Sequence, residues 1–462
     1  MPVRTIPGTD VQYHLLCFDE NGVERKEADG TLLSDVVTQK LQDRDHPITD
    51  VFLCSHGWQG DVPAAVAQYD KWVGAMAQSS DAAVARAKRV GFSSIVVGVH
   101  WPSLPFGDEA MPSGVLGDEE DALLEAQVNH YARSIADTPA ARAAIRIILE
   151  ASARDDGERE TLPANVRDAY EELAREASLA DGGSNPGGAP GSEHGEWNAD
   201  AIATDARETA IAAAVSAPES AEQTAAPGVL GGGFFGTIKG WMVKPLQMAS
   251  FWKMKDRARV VGEGGGHALL TRFQNTSLPS TRYHLMGHSF GCIVMSSTVA
   301  GAPDSAPLPR PVDSLFLVQG ALSLWSYSPD IPVAPGNVGY FNRTIANGFV
   351  RGPIVTTQSR FDQAVSTFYP QGAALKSQFV LGDELPKYGG VGVYGIQGVG
   401  DVGENLAMKP VTSDYSFLPR RVYNLESSDV IKKNEGFGVG AHSDFAHPEV
   451  AHAFWQAVLS VA

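Results

Sequence analysis

Cysteine is scarce in this 462-residue chain, and its three examples, Cys17, Cys54 and Cys292, lie far apart. That number and scatter exclude a disulfide framework or a thiolate zinc site. Each falls in an apolar run, so all three read as small buried hydrophobes. Long apolar runs are missing as well. No window reaches the roughly 18 uninterrupted apolar residues of a membrane-spanning helix; the nearest, Gly228 to Ile238, is broken by its own glycines and by Lys239. Positive charge is in deficit, with 36 Lys plus Arg against 54 Asp plus Glu and a net charge of −18. Such a balance argues against nucleic acid as a partner, because phosphate binding needs a basic surface. The N-terminus shows neither a charged segment followed by an apolar one nor a lipidation signal, which points to the cytoplasm, with export by another route left open.

What is present suits a globular protein with a sizeable core: 43% of residues are hydrophobic and 19% charged. The length exceeds a typical single domain, and the charge is localised. From Asp108 to Glu222 there are 25 acidic against 8 basic residues, so nearly all of the net charge sits there. The reading is one core interrupted by an acidic insertion: residues 1–103, an insertion at 104–249, and residues 250–462.

Within the first part, strands are expected at Val11–Phe18, Ile48–Cys54 and Ser93–His100, the later two apolar without polar alternation, as in a parallel sheet covered on both faces. A helix at 35–42 capped by Ser34 and a single crossover helix at 63–88 join them. The insertion reads as two to four amphipathic helices, for example at 122–135, 140–154 and 165–179. A Gly-, Ala-, Ser- and Pro-rich stretch follows at about 181–233, expected to be a mobile loop around a short Ala-rich helix. A helix resumes at about Ser250, after a Gly-Phe-Phe-Gly and Trp241-Met242 cluster that reads as a hinge packed on the core. Later strands are expected at 314–321, 353–358 and 421–426, with a glycine-dense loop at 389–403 and a closing helix at 446–459. That loop lacks the Gly-Lys-Ser/Thr of a phosphate cradle.

The chain is organised around Gly287-His288-Ser289-Phe290-Gly291. An apolar run ends in this G-x-S-x-G and continues into a helix-compatible segment, the strand, sharp turn and helix of a nucleophile elbow. Ser289 is therefore the candidate nucleophile. Upstream, Val51 to Gly60 is a buried-strand pattern running into His56-Gly57-Trp58. With these motifs the chain resembles the α/β-hydrolase superfamily, and within it serine esterases and lipases whose first oxyanion loop reads His-Gly-aromatic. The resemblance covers about residues 48–103 and 267–460.

It implies an α/β-hydrolase fold, a mostly parallel central sheet flanked by helices, with the insertion before the nucleophile strand as a lid or, alternatively, a solvated ornament. Many members place the cap after the sixth strand, so the position here departs from the pattern and weakens any transfer of substrate type. The resemblance also implies the chain order Ser, acid, His. His442, in a glycine-flanked loop after the last strand, is the expected base; His447 and His452 fall on the closing helix and read as capping or packing residues. Asp362, just past the seventh strand, is the expected acid, with Asp429 the serious rival and Asp330 and Asp383 weaker ones. Backbone N–H groups of Phe290 and Trp58 are the expected oxyanion donors. His56 is expected to support the loop, and His100 and His288 to be structural.

No cofactor is implied, and no residues match metal-ligand spacing. A serine nucleophile excludes the aspartate chemistry of dehalogenase and epoxide-hydrolase relatives. The expected function is hydrolysis of a small-molecule ester or lipid through an acyl-enzyme. Alternatives are an amidase, peptidase or acyltransferase on the same residues, or a non-catalytic partner-binding protein. Contact with a membrane surface is left open, and no motif speaks to oligomeric state.

Overall fold

The computed structural model describes residues 3–57, 62–89, 91–103, 120–155, 158–179, 183, 185–193, 195, 197–216, 240–368, 385–434 and 440–461. Short β-branched and apolar runs form its centre. The strands are β1 (Val3–Thr5), β2 (Gln12–Cys17), β3 (Asp50–Ser55), β4 (Ser94–His100), β5 (Arg282–His288), β6 (Ser314–Val318), β7 (Ile354–Gln358), β8 (Gly403–Ala407) and β9 (Val422–Glu426). They make one nine-stranded sheet in the order β1-β2-β4-β3-β5-β6-β7-β9-β8. Among these strands β1 pairs with β2 antiparallel, and the other pairings are parallel.

Every residue of β3 and β6 is buried, because helices cover both faces of the sheet. Among the described residues the longer helices are α1 (Leu33–Gln42), α2 (Val62–Gln78), α3 (Ser80–Lys88), α4 (Glu120–Ser134), α5 (Pro139–Ala153), α6 (Ala164–Glu176), α7 (Ala199–Ser216), α8 (Lys244–Val261), α9 (His267–Thr276), α10 (Gly291–Ala300) and α11 (Pro448–Leu459). Strand side chains alternate between two apolar layers. Val51, Leu53, Leu285 and Leu317 pack with α1, α4 to α6 and α8 to α10. Phe52, Cys54, Met286 and Phe316 pack with α2, α3 and α11 on the other face. Among the described residues, no helix is long and apolar enough to cross a membrane.

Several expectations need correction. The three-residue edge strand β1 is too short to leave a pattern in sequence. Ser34 does not cap α1: Leu32 holds the N-cap without a side-chain hydrogen bond, and Ser34 sits in the first turn, its N–H donating to Glu24 Oε1 at 2.9 Å. The single helix expected at 63–88 is two, because Ser79 interrupts it and accepts the Asp81 N–H to cap α3. The glycine-dense stretch is not all loop; it holds a helical turn, Val391–Tyr394, and leads into β8, which makes the 421–426 strand internal. Cys17, next to the sheet edge, is only half-buried.

The largest correction concerns 181–233. Its helix, α7, runs for 18 residues, and residues 185–193 are docked on the body. A Cβ on Gly187 would lie 2.7 Å from Ile331 Cδ1, and one on Gly191 2.7 Å from Asp256 Cβ. Glycine lets this strap bury backbone where it has few side chains to bury. It also carries Glu193, which is buried and ion-paired with the buried Lys255 of α8. The boundary placed at residue 249 falls inside α8, which starts at Lys244 behind the helical turn Gly240–Val243. Trp241 in that turn donates to Asp155 Oδ2 at 3.0 Å and so packs on the inserted helices. The Gly-Phe-Phe-Gly motif lies outside the described residues.

Candidate active site

Parallel strands carry the residues that follow them to one edge of the sheet. The order reverses between β3 and β5, with β4 and β2 on one side and β6, β7 and β9 on the other. Such a reversal opens a crevice at the carboxyl ends of the strands. Ser289 follows β5 there, with φ 56°, a left-handed conformation that costs a serine about 1–3 kcal/mol unless its surroundings impose it. They do so by crowding. A Cβ on Gly287 would lie 2.3 Å from the Gly291 carbonyl oxygen, and one on Gly291 2.2 Å from the Ser55 carbonyl oxygen. The Ser289 N–H donates to Val318 O at 3.0 Å, and its own carbonyl accepts from the Ala321 N–H at 3.2 Å. The hydroxyl is thus presented above the sheet edge.

His442 reaches this hydroxyl, with Nε2 2.7 Å from Ser289 Oγ. Its Nδ1 lies 2.8 Å from Asp362 Oδ2. A carboxylate accepts only, so the hydrogen-bond partners assign the proton to Nδ1 and leave Nε2 to accept from the serine. The two loops are stitched together. Ala441 N–H donates to Phe361 O at 2.8 Å, and Gly440, at φ 59°, passes so close that a Cβ would lie 2.4 Å from Phe361 O. Asp362 is fully buried, and its Oδ1 accepts the Val365 N–H at 2.9 Å, so it also caps the short helix Gln363–Phe368.

The rivals lie elsewhere. Asp429 and Asp330 are exposed, the latter accepting from the Gly336 N–H; Asp383 is outside the described residues. His447 pairs with Asp444 at 2.9 Å at the start of α11, and the buried His452 with Asp81 at 2.7 Å. No protein-family model, curated protein or solved structure matches the chain.

Phe290 takes the N-cap position of α10, where the first-turn amides of a helix point outward and carry partial positive charge. Trp58 lies outside the described residues, but β3 delivers His56-Gly57 to the same place. A Cβ on Gly57 would sit 2.6 Å from Ser289 Cβ. His56 Nδ1 donates to Gly57 O at 2.7 Å, and its Nε2 faces His100 Nδ1 at 3.0 Å. Burial, and then the neighbouring His100, push the His56 pKa down to about 3, so the ring is neutral at physiological pH. His288 is likewise held well below the ordinary histidine range, by burial first and then by His442. Gln68 Nε2 donates to its Nδ1 at 2.6 Å, which leaves its Nε2–H to donate to the His442 carbonyl at 3.0 Å. Both histidines act as neutral brackets for the loops.

Sequence reasoning missed Gln319 and Thr357. Gln319 Nε2 donates to Asp362 Oδ2 at 2.9 Å; the only signal was a polar residue closing the apolar run Ser314–Val318. It also missed Phe251 of α8, which with Phe290, Ala321, Ala364 and Val365 lines a narrow, mostly apolar recess beside Ser289 and His442. Among the described residues, no group of three His, Cys, Asp or Glu side chains could hold a metal ion. The arrangement can take a proton from Ser289, hold it on His442 beside a buried carboxylate, and seat an uncharged apolar group next to the nucleophile.

Proposed function

We propose that the chain is a serine hydrolase of the α/β-hydrolase type that cleaves carboxylic esters through an acyl-enzyme. The observation that carries this reading is the continuous Ser289–His442–Asp362 hydrogen-bond chain, at 2.7 and 2.8 Å, on a serine held at φ 56°. Ser289 Oγ attacks the ester carbonyl while its proton passes to His442 Nε2. The tetrahedral oxyanion is met by the N–H of Phe290, with Trp58, which lies outside the described residues, the second donor expected from the His-Gly-Trp motif. Collapse expels the alcohol, which takes the proton back from His442. Water then attacks the acyl-enzyme with His442 again as base, releasing the acid and restoring Ser289. Throughout, Asp362 stabilises the imidazolium without taking its proton.

Phe251 of α8 forms part of the acyl site, in support of which its side chain stands on the wall of the recess. A fluorophosphonate probe tests the reading directly. Wild type is expected to label once per chain, on the peptide containing Ser289, and to hydrolyse p-nitrophenyl esters, while Ser289→Ala does neither. A folded wild type that fails to label sinks the proposal.

A further inference from the structure

Gln319 directly follows β6 at φ 45°, a left-handed conformation in a residue that is not glycine, and it is fully buried. Two bonds from one side chain on the next strand hold it there. The Gln319 N–H donates to Thr357 Oγ1 at 3.0 Å, and that hydroxyl gives its own proton to Gln319 Oε1, also at 3.0 Å. With the oxygen of the amide committed to Thr357, only Nε2 can face Asp362, which it does at 2.9 Å. The amide nitrogen also approaches Gly392 O at 3.4 Å. Gly392 closes the contact: a Cβ there would lie 2.8 Å from Asp362 Oδ2 and 3.0 Å from the Gln319 carbonyl carbon.

We infer that Gln319 is a positioning residue, whose amide, locked by Thr357, turns Asp362 so that Oδ2 meets His442 Nδ1. Three donors converge on the carboxylate, Gln319 and His442 on Oδ2 and the Val365 N–H on Oδ1, and they fix its plane. A strained backbone at a buried side chain with every side-chain polar atom bonded is the signature of a conformation imposed for a purpose. The inference rests on the serine hydrolase reading above. Among the described residues, the titratable groups in hydrogen-bond contact with the amide or the carboxylate are Asp362 and His442 themselves.

The test compares Gln319→Glu, Gln319→Met and Thr357→Val with wild type on p-nitrophenyl butyrate across pH. Gln319→Met fills similar space but donates nothing; kcat is expected to fall roughly ten- to a hundredfold at every pH, with KM little changed. Gln319→Glu keeps the shape. While the two carboxyl groups share one proton, it still donates to Asp362, and kcat stays near wild type at acidic pH. Once that proton is lost the two like charges separate, so a new descending limb appears at higher pH. Thr357→Val, which frees the amide to turn, is expected to lose kcat several-fold. A Gln319→Glu profile parallel to wild type, or a folded Gln319→Met with wild-type kcat, overturns the inference. Should Gln319→Met not fold, the Gln319→Glu profile decides. Failure of wild type itself to label with fluorophosphonate refutes the hydrolase reading instead, so the two failures are distinct.

Discussion

Replacing Asp362 by Asn tests the acid through a conflict the site cannot relax. Asp362 is fully buried, and both its oxygens receive donors: Oδ1 from the Val365 N–H, Oδ2 from Gln319 Nε2 and His442 Nδ1. Asn has one oxygen and one NH2. With its oxygen toward Gln319 and His442, the NH2 meets the Val365 N–H and one buried donor goes unsatisfied, at a cost of about 1–3 kcal/mol. With the amide turned over, its NH2 faces the Gln319 amide and His442 Nδ1. The imidazole then keeps its proton on Nε2 and cannot accept one from Ser289. Either way the imidazolium loses its counter-charge. Turnover should fall by roughly three to four orders of magnitude, or roughly 4–5.5 kcal/mol of barrier, with the fold retained. The assay is kcat on p-nitrophenyl butyrate, with Asp429→Asn in parallel and circular dichroism as the folding control. Near-wild-type turnover in Asp362→Asn, with activity abolished in Asp429→Asn, would refute the assignment.

Phe251→Ala opens the wall of the recess, so kcat/KM for p-nitrophenyl octanoate should rise roughly tenfold relative to the acetate; an unchanged ratio would show that α8 does not shape the acyl site. Glu193→Ala removes the carboxylate from the buried Lys255, whose ammonium lies 4.6 Å over the Trp252 ring, and should cost about 3–5 kcal/mol in urea unfolding. Adding Lys255→Met should restore most of that loss, and a single variant within about 1 kcal/mol of wild type contradicts the pairing. His56, at about 3, and His288 titrate in the folded state below the ordinary histidine value of 6.5. Below pH 6.5 the unfolded chain therefore binds protons that the folded chain does not, and stability falls as pH falls. Each histidine contributes about 1.4 kcal/mol per pH unit until its folded pKa is reached. Urea midpoints that are flat from pH 7.5 to 5 would contradict the buried neutral rings.

The parallel sheet is legible in the chain because a strand covered on both faces needs apolar residues at nearly every position, and Val51 to Cys54 and Leu315 to Val318 meet that need within a few neighbouring residues. The turn at Ser289 is legible for a similar reason: Gly287 and Gly291 are demanded by contacts so close that no side chain fits, and that demand is written as two letters. Glu193 and Lys255 are 62 residues apart, and Gln319 and Asp362 43 apart; nothing local to either residue says that it has a partner. Composition misleads at 185–193, where few side chains to bury suggested a mobile loop and glycine allowed close docking instead. The order Ser, acid, His is a property of the sequence, but the 2.7 and 2.8 Å distances belong to the sheet, whose parallel strands bring loops 73 and 80 residues apart to one edge. Local sterics can be read one residue at a time. Which distant groups share a buried space is decided only when the layers close over them.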